Sequence, residues 1–76
     1  MAGTTFELPL AFDGHDARLV VTPTAHGTWR VRTLVDGRVL GWEQFAHRVQ
    51  VDHFRTRMQQ WLAHAQASEK RLASVA

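Results

Sequence analysis

Residues 29–45 read Trp29-Arg30-Val31-Arg32-Thr33-Leu34-Val35-Asp36-Gly37-Arg38-Val39-Leu40-Gly41-Trp42-Glu43-Gln44-Phe45. Two runs of β-favouring residues flank the pair Asp36-Gly37, and an Asp-Gly pair between such runs is the strongest local signal for a β-hairpin. Asp and Gly both tolerate the positive φ angles of a type I′ turn, whose twist matches that of the flanking strands. The stretch therefore predicts two antiparallel strands joined by a two-residue turn.

The two-residue turn also predicts which side chains share a face of the hairpin. It places Val31 opposite Trp42 and Arg30 opposite Glu43, and side chains alternate between faces along each strand. The face of the hairpin that carries Arg30 and Glu43 is expected to meet water, and these two residues are expected to form an ion pair. The covered face then carries Trp29, Val31, Thr33, Val35, Leu40 and Trp42.

Two more strands are predicted ahead of the hairpin. Apolar and polar residues alternate in residues 5–12 and again in residues 17–23. Pro9 cannot donate a ladder hydrogen bond, so the first of these strands is expected at the edge of the sheet. Strands at residues 28–35 and 38–45 complete a four-stranded antiparallel meander.

A C-terminal helix is predicted over residues 52–72, with Asp52 as its N-cap. Its apolar stripe at helical spacing comprises Phe54, Met58, Trp61, Leu62 and Ala65. This stripe matches the apolar face of the sheet, and Trp42, Phe54 and Trp61 are expected to dominate the core. The predicted fold is a single α+β domain, ββββα in order, with the helix covering one sheet face. Residues 46–51 read equally as an extension of the last strand or as an ordered connector.

Composition limits the class of protein. The chain has 76 residues, a formal net charge of +2 and no cysteine, so disulfides and thiolate metal sites are excluded. Residues 1–5 lack the basic and apolar regions of a signal peptide, and no stretch approaches the ~20 apolar residues of a membrane span. We therefore expect a cytoplasmic protein.

Patterns that would carry catalysis or metal binding are weak. His47, His53 and His64 lack the i, i+4 spacing that places two imidazoles on one helical face. Asp13, His15 and Asp16 could bind a cation, but turns commonly contain Asp and Gly for backbone reasons, and this is the favoured explanation. No nucleophile elbow, phosphate-binding glycine loop or paired carboxylates appear, so we expect no enzyme, no metal and no cofactor.

The open sheet face is the candidate contact surface. Arginines are expected to project there from neighbouring strands, and arginine suits contacts with carboxylates and phosphates. No aromatic residue is expected on this face, which disfavours stacking on unpaired bases. The expected partner is a protein, the alternative is DNA, and the exposed edge at residues 38–45 would allow a homodimer. The candidate partner-binding residues are Arg18, Arg30, Arg32, Arg38 and Glu43.

Two resemblances sharpen these alternatives. Residues 27–32, the turn Asp36-Gly37-Arg38 and a helix containing Gln60-Trp61-Leu62 resemble in outline the arm-binding domain of tyrosine recombinases, which implies DNA contact through the sheet. Residues 34–41, closed by Phe45 and followed by a helix with a late aromatic, are similar to the hairpin of small phage anti-CRISPR proteins. That similarity implies a non-catalytic inhibitor of a type I-F surveillance complex, and no functional residue is carried over from it.

Overall fold

The computed structural model describes residues 3–75, with side chains described through residue 68. The strands are β1 (Phe6–Leu10), β2 (Ala17–Pro23), β3 (Trp29–Val35) and β4 (Arg38–Phe45), and the helix is α1 (Arg48–Val75). The strands form one antiparallel sheet in the order β1-β2-β3-β4. The predicted α+β meander with a C-terminal helix is confirmed, and β1 with its proline is an edge strand.

The β3–β4 turn has the predicted geometry. Asp36 and Gly37 adopt φ angles of 53° and 79°, as a type I′ turn requires. The Asp36 carboxylate accepts a hydrogen bond from the Asp16 amide at 2.9 Å, and its other oxygen lies 2.7 Å from His15 Nδ1. These contacts, with that of His15 foremost, hold the pKa of Asp36 below its ordinary value of 3.8. One side chain therefore joins the two turns at this end of the sheet.

The core lies between α1 and the first three strands. Its buried residues are Leu10, Ala17, Leu19, Val21, Val31, Val51 and Leu62. Phe45 and Phe54 extend it toward β4, with ring centroids 5.4 Å apart. The alternating apolar residues of β1 and β2 lie on the helix side: Leu10, Leu19 and Val21 are buried there, and Phe6 and Leu8 pack against them.

The predicted register of the β3–β4 hairpin is wrong beyond the first two pairs. Leu34 pairs with Val39, but Thr33 pairs with Gly41, so Leu40 is an extra residue in β4. This β-bulge reverses the facing of the rest of the strand. Trp42 therefore lies opposite Arg32 instead of Val31, and its side chain is 62% exposed.

The bulge brings Phe45 inward at the expense of Trp42. Phe45 pairs with Trp29 and packs against Phe54, whereas in a regular ladder it would point away from the helix. Since Phe45 directly precedes the connection to α1, its burial also fixes where the helix begins. Packing at this corner thus takes precedence over the regular alternation of Leu40 and Trp42.

The helix begins four residues earlier than predicted, and Asp52 is not its N-cap. The Gln50 side-chain oxygen accepts hydrogen bonds from the amides of Ala46 and His47, at 3.1 and 2.9 Å. A glutamine at the third helical position that reaches back in this way satisfies amides that the first turn leaves free. Asp52 lies inside the helix and accepts a hydrogen bond from Arg48.

Trp61 is not a core residue. Leu62 is fully buried, whereas Trp61 is 56% exposed at the margin of the apolar stripe. The early start of α1 adds Val51 to the stripe, and Val51 is also fully buried. The buried centre of the helix therefore shifts toward Val51 and Leu62, and Trp61 is left on the side facing β4.

Polar side chains of α1 tie the helix to the β1 side of the sheet. Gln59 donates to the Ala11 carbonyl at 2.8 Å and accepts from the Ala11 amide at 2.9 Å. Arg55 donates to the Pro9 carbonyl at 3.0 Å, and Gln66 donates to Asp13 at 2.6 Å. Three of these bonds satisfy backbone groups of Pro9 and Ala11, at the end of β1 and just after it, and the fourth joins α1 to the turn that follows β1.

Candidate binding surface

The face of the sheet opposite α1 is open, and it is defined by the strand register. One fully paired cation lies at its β1 end: Arg18 donates to Glu7 at 3.1 Å and to Asp16. Its hydrogen bonds to Asp16 and Glu7 raise the pKa of Arg18 above its usual value. By register, the open face carries Glu7, Pro9, Arg18, Val20, Thr22, Arg30, Arg32, Leu34, Val39, Trp42 and Gln44.

The opposite end of this face carries an aromatic ring beside two cations, which we call the Arg30–Trp42–Arg32 cluster. The Arg30 guanidinium carbon lies 5.8 Å from the centroid of the Trp42 ring. Cation–π contacts of this kind contribute about 0.5–1 kcal/mol at exposed sites. The three residues line a shallow surface depression of about 270 Å³. The indole and both guanidinium groups are thus presented together to solvent.

The two arginines of the cluster have no acidic partner within the part of the chain whose side chains are described. The ion pairs there join His15 to Asp36, Arg18 to Glu7 and Asp16, and Arg48 to Asp52. Arg30 lies opposite Gln44, so the predicted ion pair between Arg30 and Glu43 is not formed. The charges of Arg30 and Arg32 are therefore available to an external acidic group.

Strand β4 adds an apolar strip next to the cluster. Val39 is 53% exposed and Leu40 is 56% exposed, and every residue of β4 except Phe45 is exposed. Three of the five exposed large hydrophobic residues among residues 3–68 lie on β4: Val39, Leu40 and Trp42. Such a concentration of exposed apolar side chains on one strand is typical of a contact surface.

A groove lies on the other face, between β4 and α1. It has a volume of about 390 Å³ and is lined by Glu43, Phe45, Phe54, Arg57, Met58 and Trp61. The groove exists because β4 offers the helix only Phe45 for packing, while Gly41 has no side chain and Glu43 is charged. Trp61 borders this groove rather than the core.

Two of the five predicted contact residues lie away from the open face. Arg38 pairs with Val35 and Glu43 pairs with Val31, so both lie on the side of the sheet that faces α1. Arg18, Arg30 and Arg32 lie on the open face as predicted. The sequence prediction missed Trp42, and its expectation that no aromatic residue projects there is wrong, because regular alternation gives no sign of the bulge.

Within the described residues, no group of three histidine, aspartate or glutamate side chains is placed to hold a metal ion. No described helix is long and apolar enough to cross a bilayer. Comparison with known protein families, curated proteins and solved structures finds no match to this chain.

Proposed function

We propose that this protein is a small non-enzymatic binding module that contacts a protein partner through its open sheet face. The observation that carries the proposal is the Arg30–Trp42–Arg32 cluster, in which a 62% exposed tryptophan lies beside two arginines that have no acidic partner among residues 3–68. Tryptophan and arginine are the residue types most enriched among those that dominate binding energy at protein interfaces. The partner is expected to offer a carboxylate to the arginines and an apolar pocket to Trp42.

The surroundings of the cluster favour a protein over a nucleic acid. Val39 and Leu40 extend the surface with apolar side chains, which a phosphate backbone would leave unmatched. At the other end of the face, Glu7 and Asp16 neutralise Arg18. The formal net charge of +2 supplies only a weak general attraction for polyanions.

An inhibitor of the phage anti-CRISPR type is the narrower form of this proposal. It is supported by the hairpin resemblance at residues 34–41 and by a sheet with one open face. Such an inhibitor would occupy a surface of a type I-F surveillance complex that is meant for nucleic acid and would act in the cytoplasm, where a chain without cysteine is unexceptional. This narrower proposal is tested separately by mixing the protein with a type I-F surveillance complex and measuring whether the complex still binds its target DNA.

The general proposal is tested by affinity capture with matched variants. A partner protein that the wild type captures should not be captured by Trp42→Ala or by the double variant Arg30→Ala/Arg32→Ala. Arg18→Ala is the control, because Arg18 shares the face but is already paired with Glu7 and Asp16. Equal retention by all four proteins would contradict the proposal.

DNA binding through the same face is a second candidate, and the exposure of Trp42 favours it. An aromatic ring beside arginines is the arrangement on which unpaired bases stack, and Arg30 and Arg32 would contact phosphates. Titration with duplex and single-stranded oligonucleotides at increasing salt tests this candidate. Affinity that falls steeply with salt and is lost in Arg30→Ala/Arg32→Ala supports it, and no binding at ~50 mM salt removes it.

A further inference from the structure

The two edges of the sheet differ in whether side chains of α1 bond to their backbone. Arg55 and Gln59 bond to backbone groups at the β1 edge, whereas no described residue bonds to the outer backbone of β4. We propose that two copies of this chain associate through β4, antiparallel, about a two-fold axis that passes between Leu40 and Gly41. This association uses the backbone edge of β4, and it also brings Val39 and Trp42, which the open face presents, against the second copy.

The backbone geometry indicates which β4 residues turn their amides and carbonyls outward. The two-residue turn makes Val35 and Arg38 a hydrogen-bonded pair, so the next residue, Val39, directs its backbone groups away from β3. The bulge delays the following outward residue to Trp42, which lies opposite Arg32. The same phase on β3 is seen at its other side, where the adjoining Asp36 amide donates to the Asp16 carbonyl at 2.8 Å.

Three symmetric antiparallel arrangements match outward backbone groups on both strands at least twice. In the first, Val39 of each copy lies opposite Trp42 of the other. In the second, Trp42 of each copy lies opposite Gln44 of the other. In the third, Trp42 lies opposite Trp42 and Val39 lies opposite Gln44, with no two charged residues of β4 opposite each other. The bulge separates Val39 and Trp42 by three positions instead of two, so the axis of the first arrangement passes between Leu40 and Gly41 rather than through a residue.

Charge selects the first arrangement. It places Arg38 of each copy opposite Glu43 of the other, on the side of the sheet that carries α1, because both residues lie on that side. The second arrangement places Glu43 directly opposite Glu43, and like charges in that position destabilise a strand pair. The first arrangement therefore has two complementary pairs where the second has a repulsion.

The same arrangement covers much of the exposed apolar surface. Val39 and Trp42 of opposite copies meet on the open face, and Leu40 lies near the axis. On the helix side, the groove bordered by Trp61 is lined by Glu43 and Phe45 of β4, the strand that pairs in this arrangement. A chain of 76 residues buries a small core, and added burial at a dimer interface stabilises such chains.

Sedimentation equilibrium with charge variants tests the association. The wild type should be a dimer, and Arg38→Glu and Glu43→Arg should each raise its dissociation constant by about tenfold or more, since each creates two like-charge pairs. The double variant Arg38→Glu/Glu43→Arg exchanges the charges and should restore the dimer. Arg55→Glu makes the same charge change on the far side of the sheet, beside β1, and should leave the dimer intact. A monomeric wild type at high concentration, or no recovery in the double variant, would overturn the proposal.

Disulfide cross-linking tests the register of the two β4 strands. The chain has no native cysteine, so only the introduced cysteines can form disulfides. A mixture of Arg38→Cys and Glu43→Cys chains should oxidise to a disulfide-linked heterodimer. Rapid cross-linking of Glu43→Cys with itself would instead establish the second arrangement and overturn the register proposed. A monomer in these experiments with capture still dependent on Arg30 and Arg32 would leave the proposed function standing, so the two failures are distinguishable.

Discussion

Arg32 and Trp42 lie directly opposite each other on β3 and β4, because Leu40 is an extra residue in β4. This pairing places a tryptophan among the arginines of the open face and leaves Glu43 under the edge of the helix. Both proposed contacts follow from it, one through the face and one through the edge. The exposure of Trp42 is therefore the first property to measure.

Truncation of Trp42 should cost little stability. In dilute solution, Trp42→Ala should lower the free energy of unfolding by less than about 1 kcal/mol, as is usual for exposed positions. Leu62→Ala removes a fully buried side chain and should cost about 2–5 kcal/mol. Urea denaturation of both variants measures the contrast. A loss for Trp42→Ala as large as that for Leu62→Ala would place Trp42 beneath the helix.

Gln59 should contribute to the stability of the fold, whereas Gln60, the next residue, should not. Gln59→Ala removes two hydrogen bonds to Ala11 and should cost about 1 kcal/mol, since solvent replaces part of each bond. The exposed Gln60 forms no described hydrogen bond, so Gln60→Ala is the matched control and should be nearly neutral. Chemical denaturation gives both values, and amide exchange at Ala11 should accelerate only in Gln59→Ala. Equal free energies of unfolding and equal Ala11 exchange rates in the two variants would show that Gln59 does not hold the backbone of Ala11.

Gln50, rather than Asp52, should stabilise the start of α1. Gln50→Ala leaves the amides of Ala46 and His47 without their partner and should cost about 1 kcal/mol. Gln50→Glu retains an acceptor at the same place and should recover most of this loss. Asp52→Asn disturbs only an exposed pair within the helix and should change stability by less than about 0.5 kcal/mol. A larger loss of unfolding free energy for Asp52→Asn than for Gln50→Ala would instead support Asp52 as the N-cap, as predicted from the sequence.

Asp36 should make stability depend on pH in the acid range. Its pKa is lowered in the folded protein, so its contribution is fully present above the ordinary value of 3.8 and is lost as pH falls through the lower folded value. Asp36→Asn keeps the turn, because Asn-Gly also favours type I′ geometry, and removes the charge. The gap in unfolding free energy between wild type and variant should therefore close toward low pH. A gap that stays constant across this range in urea titrations would contradict the role of the charge.

Local patterns predicted most of the fold because each of them admits one arrangement. Asp36-Gly37 requires positive φ angles at two successive residues, and the observed angles are 53° and 79°. Pro9 excludes a central strand, and β1 lies at the edge. In β2, Ala17, Leu19 and Val21 share the helix side, and Val20 is the one apolar residue of the opposite phase.

The bulge could not be predicted because β4 offers two apolar sets of opposite phase. Leu40 and Trp42 belong to one set and Phe45 to the other, so alternation alone cannot decide between them. The decision depends on Phe54, which packs against Phe45 from the helix. The early helix start was missed for a related reason: His47 is not a strong N-cap residue, and Gln50 supplies the missing acceptor from inside the helix.

The length of α1 gives the molecule an elongated form. At about 1.5 Å per residue its 28 residues span about 42 Å, whereas the eight residues of β4 span about 26 Å. The principal dimensions are 53 × 21 × 15 Å, so a single copy should tumble like a short rod, with amide relaxation that depends on bond orientation. Side-by-side pairing along β4 would widen the particle without lengthening it. Rotational anisotropy should therefore fall while the mean correlation time rises, a hydrodynamic signature that end-to-end assembly would not produce.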